Sequence, residues 1–397
     1  MLLALKQFVR ARLTYASLPE IARIELRKDH GGLPTVDPGA NAVETAALQW
    51  LCDAQDLSAT RDGGAARDFS LVSGWAPSYP ETSGYIVPTL IEAGERRGDP
   101  ELIERGRRMV DWLVSIQFPE GGFQGGTMGA TPVVPVTFNT GQILMGLAAA
   151  VQHFGEAYAE PMHRAADWLV ATMDPDGCWR KFPTPFATPG EKTYETHVAW
   201  GLIQAAQATS DPTAAKRYVD AAVRNARWAI SKQHVNGWFD CCCLVNPDAP
   251  LTHTIGYALR GLTEIFLYTR EADVLAAALR TAESLSARVG RDGFLSGRLD
   301  NSWQGAVSWV CVTGSAQIAH SLLLLSRETG NASFTTSARA LLAYARRTVQ
   351  LDGPVGIRGG VKGSFPVDGE YGQYAFLNWA AKFLIDAGDA ERRLAAA

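Results

Sequence analysis

The chain has 397 residues, of which 47% are hydrophobic, and its formal net charge is −4 at pH 7. This composition is ample for a large core, and the slight acidity gives no electrostatic reason to expect nucleic acid or an anionic membrane as a partner. No stretch reaches the roughly 18 apolar residues that a membrane span needs. The six cysteines show no paired spacing and include the run Cys241-Cys242-Cys243, so we expect reduced thiols and a cytoplasmic protein.

The first segment, residues 1–42, is predicted to form a short helix and then a polar connection that contains Gly31-Gly32-Leu33-Pro34. Its first residues, MLLALKQFVRARL, carry basic side chains among the apolar ones, whereas a signal peptide has an uninterrupted apolar run. We therefore expect this stretch to pack against the following domain, with an amphipathic surface helix as the alternative.

From residue 43 onward, one unit recurs six times. Its most regular part is a turn in which an acidic residue or Asn precedes Gly, and these turns begin at positions 62, 120, 176, 236, 292 and 352. Three copies also carry Trp and, five residues later, Gln: Trp50/Gln55, Trp112/Gln117 and Trp228/Gln233. A repeat at this period is the signature of an architecture built from identical supersecondary units.

Each unit is predicted to contain an outer helix before the Gly turn and an inner helix after a long irregular loop. Asp99-Pro100 and Asp211-Pro212 mark two outer-helix starts, with Asp as the N-cap and Pro at the first helical position. The predicted outer helices are 43–56, 101–117, 160–173, 214–233, 272–289 and 333–350, and the inner helices are 82–97, 139–154, 194–209, 252–269, 313–329 and 371–387. The inner helices are rich in Gly, Ala and Leu, as expected for helices buried on most sides. The predicted fold class is all-α: an (α/α)6 toroid of six helical hairpins in one domain, residues 43–397.

In such a ring, all six inner helices run in the same direction, and their N-termini follow the long loops. We therefore expect the functional site on the long-loop face. Six helix N-termini around one cavity would favour a ligand that carries carboxylate, sulfate or phosphate groups.

Two copies of the unit resemble the QW repeat of squalene-hopene-type cyclases. The matching residues are Arg164-Ala165, Trp168-Leu169, Met173, Gly177 and Trp179 in one copy, and Trp112-Leu113, Gln117, Gly121 and Phe123 in the other. This resemblance implies the toroid fold that terpene cyclases share with prenyltransferase subunits, glycoside hydrolases, polysaccharide lyases and uronyl-sugar enzymes. It does not extend to chemistry, since the sequence contains neither a DxDD nor a DDxxD motif. The stretch 253–259 is similar to the zinc-histidine helix of prenyltransferases but lacks the matching Asp-x-Cys, so no metal or cofactor is predicted.

Polar residues able to transfer protons or bind sugars are concentrated at the predicted starts of the inner helices and in the loops before them. Imidazole, phenol and carboxyl groups can move protons, Arg binds carboxylates, and aromatic faces stack on sugar rings. The catalytic candidates are Glu81, Tyr194, Glu195, His197, His253 and Tyr257. The substrate-binding candidates are Trp75, Asn139, Gln142, Arg298, Trp303, Gln317, Arg358, Glu370 and Tyr371. Lys362 is expected at the same mouth, and Thr82 and Thr254 fit N-cap positions.

We interpret the chain as a carbohydrate-active enzyme whose partner is an acidic oligo- or polysaccharide, with lyase or C5-epimerase chemistry. The alternative is a glycoside hydrolase that uses two carboxylates drawn from Glu81, Glu195 and Glu370. A saccharide-binding ring without catalysis and a terpene-cyclase-like enzyme without the usual acid motifs remain open. The sequence makes no prediction of the oligomeric state.

Overall fold

The structure is a computed structural model that describes residues 15–188 and 190–396, so the predicted N-terminal stretch MLLALKQFVRARL lies outside the described residues. Thirteen α-helices lie within these ranges. In chain order they are α1 (Glu20–His30), α2 (Ala40–Asp56), α3 (Pro80–Arg97), α4 (Pro100–Ser115), α5 (Thr137–Phe154), α6 (Ala159–Thr172), α7 (Thr196–Ala208), α8 (Pro212–Ile230), α9 (Thr252–Thr269), α10 (Ala272–Ser286), α11 (Val312–Thr329), α12 (Ala332–Arg347) and α13 (Asn378–Ala396).

The helices α2 to α13 form six hairpins that close into a ring. Each even-numbered helix from α2 onward is an outer helix, and each odd-numbered helix from α3 onward is an inner one. Every inner helix packs against the inner helices before and after it, and α13 packs against both α3 and α2. Residues from the first turns of α3, α9 and α13 meet at one end of the ring, and residues from later turns of the same helices meet at the other, so these helices run in parallel. The predicted (α/α)6 toroid is confirmed.

The glycines of the six Gly turns share one backbone feature. They all have positive φ, a region that side-chain-bearing residues rarely adopt: Gly63 (107°), Gly121 (104°), Gly177 (98°), Gly237 (83°), Gly293 (89°) and Gly353 (99°). Most of these glycines also touch the next outer helix, and a Cβ at Gly293 would lie 2.0 Å from the carbonyl oxygen of Ala340 on α12. The repeated turn therefore sets the spacing between neighbouring repeats.

The substitution Gly293→Ala is expected to lower the free energy of unfolding by about 3 kcal/mol, because it combines an unfavourable φ with a clash against the α12 backbone. Gly353→Ala is the matched control, since its φ is as positive but no atom lies within 4 Å of the added Cβ. We expect that control to lose about 1 kcal/mol. Denaturant titration of both variants measures the difference, and equal losses would show that the turn does not space the repeats.

In three repeats, the Gln that follows Trp by five residues bonds the Gly turn to the following repeat. Gln117 Nε2 donates to the carbonyl oxygens of Gly121 and Pro161, both at 3.0 Å, and Arg164 donates to Gln117 Oε1. The same arrangement recurs in two other repeats: Gln55 bonds the carbonyls of Gly63 and Arg105, and Gln233 bonds those of Gly237 and Ala277. The QW-like residues therefore carry a structural role that accounts for their repetition.

Short strands and buried contacts join neighbouring repeats, including the last repeat to the first. The strands are β1 (Asp68–Ser70), β2 (Gly74–Trp75), β3 (Val310–Cys311), β4 (Ser364–Phe365) and β5 (Ala375–Leu377). Strand β1 pairs antiparallel with β2 and β5, and β3 pairs antiparallel with β4. Trp50 Nε1 also donates to the carbonyl oxygen of Gly356 at 2.9 Å. These contacts close the ring on its long-loop face.

Three local predictions are wrong. The last inner helix begins at residue 378 and not at 371, because Gly372 and Tyr374 have positive φ and residues 375–377 form β5. Thr82 and Thr254 are not N-caps, since those positions are held by Tyr79 and Leu251.

Lys362, expected at the mouth, is instead buried and bonded to Asp29 of α1 at 2.5 Å. The two predicted Asp caps are confirmed: Asp99 and Asp211 each accept a hydrogen bond from the backbone two residues on.

All six cysteines are free thiols. Within residues 15–188 and 190–396, no helix is long and apolar enough to cross a membrane.

Candidate active site

A cavity of about 360 Å³ lies at the long-loop end of the ring. The N-terminal ends of four inner helices contribute to it: Glu81 on α3, Phe138 on α5, His253 on α9 and Trp379 on α13. The loops ahead of these helices supply the rest of the wall. Four of the six inner-helix N-termini expected at the mouth therefore line this cavity, and their unsatisfied N–H groups give that end a positive potential.

Glu81 is the one carboxyl group among the described residues that line the cavity. Its Oε2 accepts a hydrogen bond of 2.6 Å from the hydroxyl of Tyr79, and both side chains are buried. Burial raises the pKa of Glu81 to about 7, although the Tyr79 hydrogen bond opposes that rise. Glu81 therefore exchanges its proton near neutral pH, which suits an acid–base role.

His253 faces the cavity from the fourth inner helix, on the opposite side of the six-membered ring from Glu81 on the first. Its Nδ1 lies 2.8 Å from the Gln317 amide oxygen. Because an amide oxygen only accepts, Nδ1 carries the hydrogen and Nε2 retains a lone pair. Burial lowers the pKa of His253 to about 4, so the imidazole is neutral at pH 7 and can accept a proton.

Two tyrosines on opposite inner helices close the floor of the cavity. The hydroxyls of Tyr85 on α3 and Tyr257 on α9 are 3.5 Å apart. The Tyr257 ring also packs on the rings of His253 and His197, at centroid distances of 4.4 and 4.5 Å. His197 itself is fully buried and does not line the cavity, and its Nδ1 lies 2.7 Å from the Gln142 amide oxygen. His197 therefore packs behind Tyr257 and supports the floor of the cavity.

Aromatic side chains and one guanidinium form the upper wall. Trp379 Nε1 donates to the Tyr371 hydroxyl at 2.8 Å, and the Tyr371 ring packs on His253 with a centroid distance of 5.1 Å. Arg67 lines the cavity, and its side chain is half-exposed and paired with Asp68 at 2.5 Å. A sugar ring could stack on this wall, and Arg67 could bind an anionic substituent.

The structure brings together only part of the predicted set. Five predicted residues line the cavity: Glu81, Tyr194, His253, Tyr257 and Tyr371. Four others are buried behind it: Asn139, Gln142, His197 and Gln317. Gln142 pairs with His197 and Gln317 pairs with His253, and the Asn139 side chain interacts with Tyr79.

Two predicted carboxylates do not line the cavity. Glu195 is buried elsewhere, near Lys192, and its burial raises its pKa well above the usual range. Glu370 is largely exposed and pairs with Arg298 at 3.2 Å. Of the three glutamates expected for a glycoside hydrolase, Glu81 alone therefore lines this cavity.

The remaining predicted binding residues serve the fold or face solvent. Trp75 packs on Trp50 at a centroid distance of 5.1 Å, and Trp303 packs on Trp238 at 5.2 Å. Arg298 donates to the carbonyl of Ala249, and Arg358 is exposed away from the cavity.

Sequence reasoning missed several cavity residues, among them Phe138, Arg67 and Trp379. Trp379 had a usable signal, since it follows directly on the true start of α13, but that start was misplaced by seven residues. Arg67 lies in an irregular loop, where no periodicity indicates which side chains turn inward. Within the described residues, no cluster of three His, Cys, Asp or Glu side chains could hold a metal ion.

No protein-family model matches the chain, and no curated protein shows significant sequence similarity to it. Solved structures share its fold. An unsaturated glucuronyl hydrolase specific for heparin superposes with a TM-score of 0.70 at 16% identity, covering 90% of this chain and 98% of that one. A D-mannose isomerase gives 0.68 at 13% identity, with coverage of 91% and 100%. A cellobiose 2-epimerase from Bacillus thermoamylovorans gives 0.68 at 10% identity, with coverage of 89% and 97%. The chain is thus a member of the (α/α)6 toroid class by fold.

Proposed function

We propose that the protein is an enzyme that moves a proton at the carbon next to the carboxylate of a uronate residue in an acidic saccharide, as a C5-epimerase or a lyase. The observation that carries this proposal is the pair of acid–base groups on opposite sides of one cavity. Glu81, with a pKa of about 7, faces a neutral His253, with a pKa of about 4. Between these values, one group can donate a proton while the other accepts one.

In this mechanism, His253 Nε2 takes the C5 proton, and the electron pair of the broken C–H bond moves onto the carboxylate. Arg67 is the cavity cation able to stabilise the charge that develops there. In epimerisation, the Glu81 carboxyl, hydrogen-bonded by Tyr79, returns a proton to C5 from the opposite face. In elimination, the same carboxyl gives its proton to the departing C4 oxygen. Both reactions need the same protonation states.

The size and chemistry of the cavity support a short acidic sugar. Its volume of about 360 Å³ is near the lower end for ligand sites, so it suits one or two sugar units at the end of a chain. The helix N-termini and Arg67 favour a carboxylate, and Trp379 and Tyr371 offer aromatic faces. Among the structures with this fold, several are named as glucuronyl hydrolases, one as a D-mannose isomerase and one as a cellobiose 2-epimerase.

Hydrolysis of an unsaturated uronide is the second candidate, and a specific observation favours it. The cavity holds one titrating carboxyl, Glu81, and unsaturated glucuronyl hydrolases are among the structures that share the fold. In that reaction Glu81 would act without His253. A ring that only binds saccharides would need neither group.

Product analysis separates these reactions. Uronate oligosaccharides are incubated with the protein in deuterated water, and the products are followed by NMR and near-ultraviolet absorbance. Epimerisation places deuterium at C5, elimination creates an absorbing 4,5-unsaturated uronate, and hydrolysis of unsaturated uronides consumes that absorbance. We expect either deuterium at C5 or new near-ultraviolet absorbance. Loss of absorbance from unsaturated substrates, without label, would replace the proposal with the second candidate, and binding without any turnover would leave a saccharide-binding ring.

Charge selectivity is testable by thermal unfolding. Uronate oligosaccharides are expected to raise the melting temperature more than neutral oligosaccharides of the same length, because Arg67 and the helix N-termini bind the carboxylate. In Arg67→Gln the difference between the two should shrink. Equal shifts in the unchanged protein would remove the case for an acidic substrate.

A further inference from the structure

The two tyrosines that form the floor of the cavity take no part in the proton transfers described above. Tyr85 on α3 and Tyr257 on α9 come from opposite sides of the ring, both line the cavity, and their hydroxyls lie 3.5 Å apart. Because the side chains extend towards each other across the ring, the hydroxyls lie near its axis. They are therefore two buried polar groups at the closed end of the cavity.

The two floor hydroxyls satisfy each other poorly. A hydrogen bond between two hydroxyl groups normally spans about 2.5–3.0 Å, so a distance of 3.5 Å gives a weak one. Other buried tyrosines of this chain have closer partners. Tyr79 donates to Glu81 at 2.6 Å, and Tyr158 donates to Asp111 at 2.6 Å. Within the described residues, neither floor hydroxyl has a closer partner, so both remain available to an oxygen of a ligand in the cavity.

Both phenols keep their protons. Burial raises the pKa of Tyr85 and the pKa of Tyr257 well above the ordinary range of a phenol. Such a group donates a hydrogen bond without giving up its proton. The pair can therefore stabilise negative charge on a ligand oxygen while remaining neutral. The low local dielectric at a buried floor strengthens that stabilisation.

The position of Tyr257 beside the proposed base fits a uronate. His253 and Tyr257 lie one helical turn apart on the same face of α9, and their ring centroids are 4.4 Å apart. In a uronate, C5 carries both the hydrogen that is removed and the carboxylate. A uronate whose C5–H points at His253 Nε2 can therefore place a carboxylate oxygen at the neighbouring Tyr257 hydroxyl.

Arg67 does not make a second stabilising group redundant. Its side chain is half-exposed and pairs with Asp68 at 2.5 Å, so its charge is partly offset and is screened by solvent. Arg67 is therefore better suited to attracting a carboxylate into the cavity than to stabilising the charge that develops when C5 loses its proton.

We infer that one carboxylate oxygen of the substrate accepts hydrogen bonds from both Tyr85 and Tyr257, an inference that rests on the proposed function and deepens it. When His253 Nε2 takes the C5 proton, the electron pair of the C–H bond moves into the carboxylate. The two hydroxyls donate to the oxygen that gains this charge, and no proton leaves either tyrosine. The pair acts as an oxyanion hole and selects substrates that carry a carboxylate on the carbon that loses its proton.

Binding to the floor is tested first. The full chain, isotopically labelled at the tyrosine Cζ carbons, is titrated with D-glucuronate and with D-glucose and followed by NMR and calorimetry. The signals of the two floor tyrosines are assigned as those missing from Tyr85→Phe and Tyr257→Phe. We expect D-glucuronate to shift both signals and D-glucose to shift neither. D-glucuronate that binds without shifting either signal would overturn the inference.

Turnover is tested with the same two variants, each of which removes a hydroxyl and keeps the ring that packs in the floor. On the substrate identified by product analysis, Tyr85→Phe and Tyr257→Phe should each lower kcat about 100-fold and leave KM nearly unchanged. The reason is that the donors act most strongly on charge that develops during the reaction. Tyr158→Phe removes a buried hydroxyl outside the cavity and is the control, which should keep full activity.

The outcomes separate this inference from the proposed function. Full activity in both floor variants would overturn the inference and leave the proposed function in place, since His253 and Glu81 would then suffice. Shifted tyrosine signals without turnover of any uronate would instead remove the proposed function and support a carboxylate site at the floor.

Discussion

Glu81→Gln is expected to lower turnover about 1,000-fold while leaving the fold intact, because the amide keeps the size of the carboxyl and removes its titrating proton. The Tyr79 hydroxyl can still donate to the Gln oxygen, so the buried pair stays satisfied. Steady-state kinetics on the substrate identified by product analysis measure the loss.

Two matched controls come from the same sequence-predicted set. Glu370→Gln changes an exposed carboxylate outside the cavity, and Glu195→Gln changes a buried one that does not line it. Both should retain activity within a fewfold. Activity lost in Glu195→Gln or Glu370→Gln, with Glu81→Gln still active, would move the catalytic acid away from the cavity described above.

Glu81→Gln also has a signature in stability. The carboxyl titrates near pH 4.5 in the unfolded chain and near pH 7 in the folded one, so its contribution to stability is complete below pH 4.5 and is lost as the pH rises through 7. The Gln variant lacks this loss. It should match the unchanged protein at pH 4 and exceed it at pH 8 by on the order of 3 kcal/mol. A variant that is less stable at every pH would show misfolding and not lost catalysis.

His253→Ala is expected to lower turnover on the order of 100- to 1,000-fold, because it removes the neutral base opposite Glu81. His234→Ala, an exposed histidine paired with Asp240, is the control and should have no effect. The loss should appear mainly in kcat, since the sugar still contacts the aromatic wall.

The pH profile gives an independent readout. With His253 as base and Glu81 as acid, kcat/KM should be bell-shaped with limbs near pH 4 and pH 7. Glu81→Gln should remove the alkaline limb from its residual activity. Full activity in His253→Ala, together with an inactive Glu81→Gln, would favour hydrolysis by the carboxyl alone.

The ring could be predicted from the sequence because its signal is local and repeated. A glycine with positive φ is needed wherever the Gly turn contacts the next outer helix, and the same need recurs at Gly121, Gly177, Gly237 and Gly293. Two outer helices also begin at Asp caps that a short window of sequence reveals, Asp99 and Asp211.

The side chains that line the cavity could not be predicted in the same way, because they depend on how each helix is rotated about its own axis. Glu81 and Glu195 both stand at the start of an inner helix, but Glu195 lies in the short 3-10 turn Thr193–Glu195 ahead of α7 and is turned into the protein. Trp75 lies in strand β2 and Trp303 in a loop, and each packs on another indole. Neither outcome can be predicted from residue spacing or composition.

The pairing of β1 with β5 has a consequence for how the protein folds and unfolds. An open array of repeats can lose its terminal units one at a time, whereas here residues near position 70 are held by residues near position 375. Such long-range pairing raises the contact order, so ring closure should be the slow step of folding. Once closed, the ring exposes no terminal repeat, so proteolytic opening should require a cooperative event and not fraying from one end.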